Sequence, residues 1–145
     1  MRLKALVWIV RPGAKGPEVL LLRRPDRRGG GEHPVTGKAD AGEKPLACAE
    51  REAFEETGLR GELIPLALVH YYRAKKGDFE EHAFLLKVPK RSEPELSSEH
   101  VGSRWVSPDD ALGRSENLGG GLRRRLGRAR GGDGARHRLH RDHIS

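Results

Sequence analysis

Five glutamates, Glu43, Glu50, Glu52, Glu55 and Glu56, fall within fourteen residues of the segment "GKADAGEKPLACAEREAFEETGL", which spans Gly37 to Leu59 and carries Arg51 in their midst. A helix advances about 100° per residue. With Glu52 set at zero, Glu55 then lies at about −60° and Glu56 at about +40°, so three carboxylates share one face. Leu46, Ala49 and Ala53 fall at about 120°, 60° and 100°, an apolar stripe beside the acids and not opposite them, unlike an ordinary amphipathic helix. Like charges so placed repel by a few tenths of a kcal/mol per pair even when exposed. Arg51 can partner one acid, but one guanidinium does not neutralise three or four carboxylates. A hard divalent cation meets that deficit, because Mg²⁺ sits on one or two carboxylates together with substrate phosphates; Mn²⁺ takes the same oxygen donors. The chemistry expected here is a magnesium and phosphate platform, and its ordinary alternative is a solvated acidic face.

Other residues are candidates for contacts to the substrate. Arg23 and Arg24 end an apolar run and could clamp phosphate oxygens in bidentate fashion, or simply form an exposed strand end. Tyr71 and Tyr72 point to opposite faces of a strand, so at most one can stack on a base, and Tyr72 is taken as that one. Cys48, at about −40° on the same wheel, reads as a small buried hydrophobe. Trp8 and Trp105 read as core. His33, His70, His82 and His100 show no mutual spacing that suggests a transition-metal site and read as structural or exposed.

The elements that must position these groups follow from pattern. "LKALVWIV" and "EVLLLRR" read as a hairpin about a turn at residues 11–17, since Gly and Pro cluster between Val- and Leu-rich runs. "PVTG" is a short segment, and Pro45 to Thr57 has helical period with Pro at its start and Gly58 at its end. "ELIPLALVHYYR" and "EEHAFLLKV" read as two strands about "AKKGD", followed by a short strand "SRWV" and a small helix at 108–112. No repeat is visible, so the expectation is α/β, a single mixed sheet sandwiched between helices.

The 145 residues are about one domain's worth, 35% apolar and 34% charged, with no run near the ~20 apolar residues of a membrane helix. The apolar start runs into Arg11-Pro12-Gly13 without a cleavage site, so it reads as a strand and not a signal peptide. A single Cys excludes an intramolecular disulfide or a zinc finger and suits a cytoplasmic protein. Of the net charge of +7, residues 113–145 carry +6, from nine Arg against Glu116, Asp133 and Asp142. The expectation is therefore a catalytic domain over 1–112 and an Arg/Gly-rich tail over 113–145. Three readings of the tail stand: a polyanion contact that weakens with salt, a disordered segment, or a frame-shifted replacement of a terminal helix.

The acidic segment is similar to the Nudix box, G-x5-E-x7-R-E-U-x-E-E-x-G-U with U aliphatic. The matches are Gly37, Glu43, Arg51, Glu52, Glu55, Glu56, Gly58 and Leu59, with Ala53 at the first U. That resemblance implies a Nudix-type α/β/α sandwich with a catalytic loop–helix–loop, and a metal-dependent hydrolase of a phosphoric anhydride. It also implies Glu52, Glu55 and Glu56 as metal ligands, a backbone carbonyl of Thr36 or Gly37 as another, and Glu43 and Arg51 as supports of the helix and its loop. One carboxylate would polarise the attacking water. "PVTGKADAGE", "EHAFLLKVP" and "EHVGSRWVSPDDAL" further resemble the branch containing dATP and dihydroneopterin triphosphate pyrophosphatases, which implies Glu99 as a distant ligand. This chain has Gly31-Glu32-His33 where that branch tends to have an aromatic pair, so the base or pterin stays open. The expected reaction converts a nucleoside or pterin triphosphate to monophosphate and pyrophosphate. Its alternatives are a hydrolase of dinucleoside polyphosphates, nucleotide sugars or capped RNA ends, and a non-catalytic nucleotide- or nucleic-acid-binding protein. An intact acid set argues against the last. No membrane partner is expected, a nucleic-acid contact through the tail is not favoured, and oligomeric state is open.

Overall fold

The longest unbroken apolar run, Ala5 to Val10, is buried throughout, and it lies in the central strand β1 (Arg2–Gly13) of a computed structural model that describes residues 1–114. Its side chains alternate between two cores. Leu6, Trp8 and Val10 enter one, and Ala5, Val7 and Ile9 the other. A strand covered on both faces has no need of polar alternation, which explains the run.

Strand β2 (Gly16–Arg23) returns antiparallel to β1 with Gly13 opposite Gly16. The turn is thus only Ala14-Lys15, and the strands extend well into the 11–17 stretch expected as loop. A 3-10 turn at Asp26–Arg28 and the two-residue strand β3 (Glu32–His33), which pairs with β2, were not legible in the pattern. Strand β4 (Val35–Lys38) is the "PVTG" segment. It pairs with β1 at residues 4–7 while β2 pairs with β1 at 10–13. The other edge of β1 is occupied by β6, so β2 and β4 divide the remaining edge between them.

The helix α1 (Pro45–Thr57) has the bounds its period and punctuation predict. Strands β5 (Glu62–Ala74) and β6 (Gly77–Lys87) turn at Lys75-Lys76. Their register shifts between Pro65 and Val69, where Ala67 takes a φ of 55°. Strand β6 runs parallel to β1 and every other pairing is antiparallel. The sheet order is β3-β2-β1-β6-β5, with β4 on β1 and β7 (Gly102–Val106) on β2. The last described element, α2 (Pro108–Arg114), runs two residues past the expected domain boundary at 112, and the rest of the expected tail lies outside the described residues.

Cys48, Ala49 and Ala53 of α1 pack on one face of the sheet with Ala5, Val7, Ile9 and Phe84. Ala111 and Leu112 of α2 pack on the other with Leu6, Trp8 and Leu85. The protein is an α/β/α sandwich with a mixed sheet. No helix among the described residues is long and apolar enough to cross a membrane.

Candidate active site

Helix α1 starts at Pro45, whose missing N–H costs nothing in the first turn, and stops at Gly58, which takes the left-handed φ of 70° and donates its N–H to Phe54 O at 2.8 Å. The residues it buries are Cys48, Ala49, Ala53, Glu56 and Thr57, an arc from about −40° to about 140° on the wheel above. One expectation holds and one changes. Cys48 belongs to the core, while Leu46, in the first turn, is 51% exposed. Glu52 and Glu56 lie inside the buried arc, and Glu55 lies outside it with a side chain 55% exposed. The acids of the core side are thus desolvated by the same packing that docks the helix.

Arg51 gathers more carboxylates than one guanidinium was expected to reach. Its Nε and Nη2 donate to the two oxygens of Glu43 at 2.8 and 2.9 Å, a bidentate pair. Its Nη1 donates to Glu52 Oε2 and Glu55 Oε1, each at 2.9 Å, and its Nη2 also donates to Lys38 O at 3.0 Å. The hydrogen bonds from Arg51, with the Asp40 N–H, hold the Glu43 carboxyl down to about 2. Glu43 and the backbone of β4 are therefore joined to the helix through Arg51. Gly37 is where the two approach most closely: a Cβ there would stand 2.0 Å from Glu52 Cδ. Its carbonyl oxygen accepts a long contact from Cys48 Sγ at 3.7 Å, and burial pushes the Cys48 thiol up to about 11, an inert thiol. Thr36 stands opposite Leu6 in the β4–β1 pairing.

Glu56 is the buried acid of the helix that Arg51 does not reach. It is 4% exposed. Burial first, then a hydrogen bond with Glu52 and the charges of Glu52 and Glu99, push its carboxyl up to about 9, against the opposing pull of Arg24. Glu99, 43 residues further along, is thus brought to the same place, with Arg28 Nη1 at 3.9 Å from its Oε1. Its loop is tied to the end of α1, where Glu56 O accepts from Ser97 N–H at 3.3 Å and Thr57 O from Glu95 N–H at 2.8 Å. Carbonyls that a helix end leaves open are the acceptors.

Two histidines read as unrelated from their spacing also meet here. His100 Nε2 is 3.2 Å from His33 Nε2 and 3.8 Å from Glu56 Oε1. Burial lowers both rings, His33 to about 4 with Arg24 adding to the effect. No local pattern could have shown this pairing, because it depends on β3 and the 95–101 loop being closed against the same helix.

The expected substrate-binding residues separate. Arg24 acts on Glu56, His33 and His100. Arg23, the last residue of β2, lines an open groove of about 890 Å³ with Glu32, Val101, Ser103 and Arg104, and none of the clustered acids is in its wall. Tyr72 is half-buried and stacked between His70 and Phe79, with Lys4 Nζ 5.8 Å from its ring, while Tyr71 is 61% exposed. Trp105 packs at the core margin beneath the guanidinium of Arg11, and Trp8 is fully enclosed.

Glu52, Glu55, Glu56 and Glu99 offer a donor set of oxygens alone, which suits a hard divalent cation. A buried carboxyl pushed up by desolvation and by a second carboxylate is one whose ionised form a positive charge placed there would favour. Glu52 and Glu55 are turned to Arg51, and no three His, Cys, Asp or Glu side chains among the described residues converge as a finished metal centre. The residues fit a cation once those two carboxylates leave the guanidinium.

The model of the NUDIX domain family matches residues 1–126. An octanoyltransferase of Myxococcus xanthus is 40% identical over 106 residues, 69% of this chain, and the chain spans only 30% of that protein. Among solved structures, a C. elegans Ap4A hydrolase binary complex is 26% identical with a TM-score of 0.74, over 85% of this chain and 93% of the other. The E. coli dihydroneopterin triphosphate pyrophosphohydrolase, at 21% identity and a TM-score of 0.72 over 86% and 94%, shares the fold.

Proposed function

The chain belongs to the NUDIX domain family, and from that premise we propose that it is a divalent-cation-dependent hydrolase of a phosphoric anhydride bond, acting on a nucleoside triphosphate or a related triphosphate such as dihydroneopterin triphosphate. The observation that carries this reading is the buried Glu56 carboxyl, hydrogen-bonded to Glu52 and within reach of the charge of Glu99, on a helix that Arg51 braces through Glu52. Glu52, Glu55, Glu56 and Glu99 would hold the cation, Mg²⁺ or Mn²⁺, with a carbonyl of Thr36 or Gly37. Once bound, such an ion neutralises phosphate oxygens and activates water.

The residues themselves do the rest. Arg51 fixes Glu52 and Glu55 before substrate arrives and keeps Glu43 and the β4 backbone in register with the helix. The Glu56 carboxyl, pushed up to about 9 by burial and by its hydrogen bond with Glu52, would give up its proton were it to ligate a cation. Arg24 supplies positive charge for phosphate oxygens, and one of the carboxylates takes the proton of the attacking water. Water adds across one P–O–P bridge, giving a monophosphate and pyrophosphate.

A second reading, hydrolysis of a dinucleoside polyphosphate, draws support from the likeness to the C. elegans Ap4A hydrolase. Acyl transfer is not proposed, since the match to the octanoyltransferase touches less than a third of that protein. The test is product analysis with Mg²⁺ and with chelator across nucleoside triphosphates, dihydroneopterin triphosphate and diadenosine polyphosphates. Metal-dependent pyrophosphate from a triphosphate is the expected result; two nucleotides from a diadenosine polyphosphate would establish the second reading. Glu52→Gln and Glu56→Gln should each lose about 100-fold or more of turnover. Full activity in both would remove the assignment.

A further inference from the structure

We propose that His33 and His100 form a clasp that positions Glu99 against Glu56, so that the cation-binding set is completed by a ring-to-ring hydrogen bond. This rests on the reading of Glu56 and Glu99 as ligands. The tautomers follow from a single carbonyl. His33 Nδ1 lies 2.6 Å from Pro34 O, which can only accept, so Nδ1 carries the hydrogen and Nε2 is bare. His100 Nε2, 3.2 Å away across 67 residues of chain, must then be the donor. Its own Nδ1 is left bare, and among the described residues it is the buried side-chain atom without a hydrogen-bond partner.

The clasp joins the segments that flank the site. His33 sits two residues before the start of β4, which leads to Thr36 and Gly37, and His100 follows Glu99 directly. Backbone bonds to Glu56 O, Thr57 O and Arg23 O tether the 95–101 loop at Ser97, Glu95 and Val101, but none of them holds the Glu99 side chain, which is 58% exposed. The ring beside it is the fixed point: the His100 side chain is 4% exposed and wedged between His33 and the Glu56 carboxyl. His33 and His100 are therefore positioning residues, acting through Glu99 and Glu56 without touching substrate. Partners of this kind around ligating groups are worth about tenfold or more in metal affinity.

Two measurements on the full chain test this. Nitrogen NMR of the imidazoles should find His33 protonated on Nδ1 and His100 on Nε2; a hydrogen on His100 Nδ1 instead overturns the clasp without any variant. Mn²⁺ titration followed by electron paramagnetic resonance should show binding about tenfold weaker in His33→Phe, which keeps ring volume and loses the acceptor. His33→Gln, whose amide oxygen still accepts, should recover most of it. Unchanged Mn²⁺ affinity in a folded His33→Phe overturns the proposal, and if the Phe variant does not fold the imidazole tautomers of the wild-type chain decide it. A wild-type chain that takes up no Mn²⁺ overturns the cation reading itself, a failure separate from an altered tautomer.

Discussion

At position 37 there is no room for a side chain: the Cβ of an alanine would meet Glu52 Cδ at 2.0 Å. Gly37→Ala should therefore displace the Glu52 carboxylate, and misplacement of about 1 Å at a reacting centre costs about 100-fold in kcat. Steady-state kinetics beside a melting curve would check this, the expected pattern being lost turnover with a retained fold. Glu43 makes a different prediction, about acid. Its carboxyl is held at about 2 in the fold against 4.5 when free, chiefly by hydrogen bonds from Arg51. A depressed carboxylate contributes stability that is fully present above 4.5 and is lost as pH falls towards 2. Glu43→Gln should melt below wild type near neutral pH, and the gap should close through that acid window.

The end of α1 shows how one element serves both packing and site. Gly58 holds φ at 70°, where an L-residue is disfavoured by about 1–2 kcal/mol. A Cβ there would meet only Glu95 at ordinary contact distance, 3.6 Å. Gly58→Ala should thus cost about 1–2 kcal/mol by urea denaturation through backbone conformation alone. The carbonyls just before it carry the loop that presents Glu99, so the same variant should also weaken cation binding. A stability loss with unaltered binding would separate the helix end from the site.

For the whole molecule, the sheet divides the burden between two cores, and the acids belong to the α1 side. Trp8 lies on the other side, fully enclosed with Leu112 and Leu85. Trp8→Ala should cost about 3–5 kcal/mol, a large share of the 5–15 kcal/mol that holds a typical domain. Denaturant unfolding would show a much lower midpoint, while the folded fraction should keep its KM, since the vacated volume faces α2.

What was legible in the sequence was local. The bounds of α1 follow from Pro45, the apolar period and Gly58, since each acts within a turn or two of itself. The family followed from the linear spacing of Gly37, Glu43, Arg51, Glu52, Glu55 and Glu56. The strands could be read from their runs, though not their turns, because a two-residue hairpin lets pairing continue through residues that look like loop. Contacts across the chain were decided by tertiary structure alone. Arg51 ties the Lys38 carbonyl of β4 and Glu43 of the loop to the helix only because β4 lies beside α1, and Arg23 and Arg24 part where β2 ends, Arg23 lining the groove and Arg24 acting on Glu56. His33 meets His100 only when β3 and the loop before β7 both close on Glu56. Spacing along a helix sets angles, and so names the acids; burial and closure set which of them lose water, and so which carboxyl is pushed up.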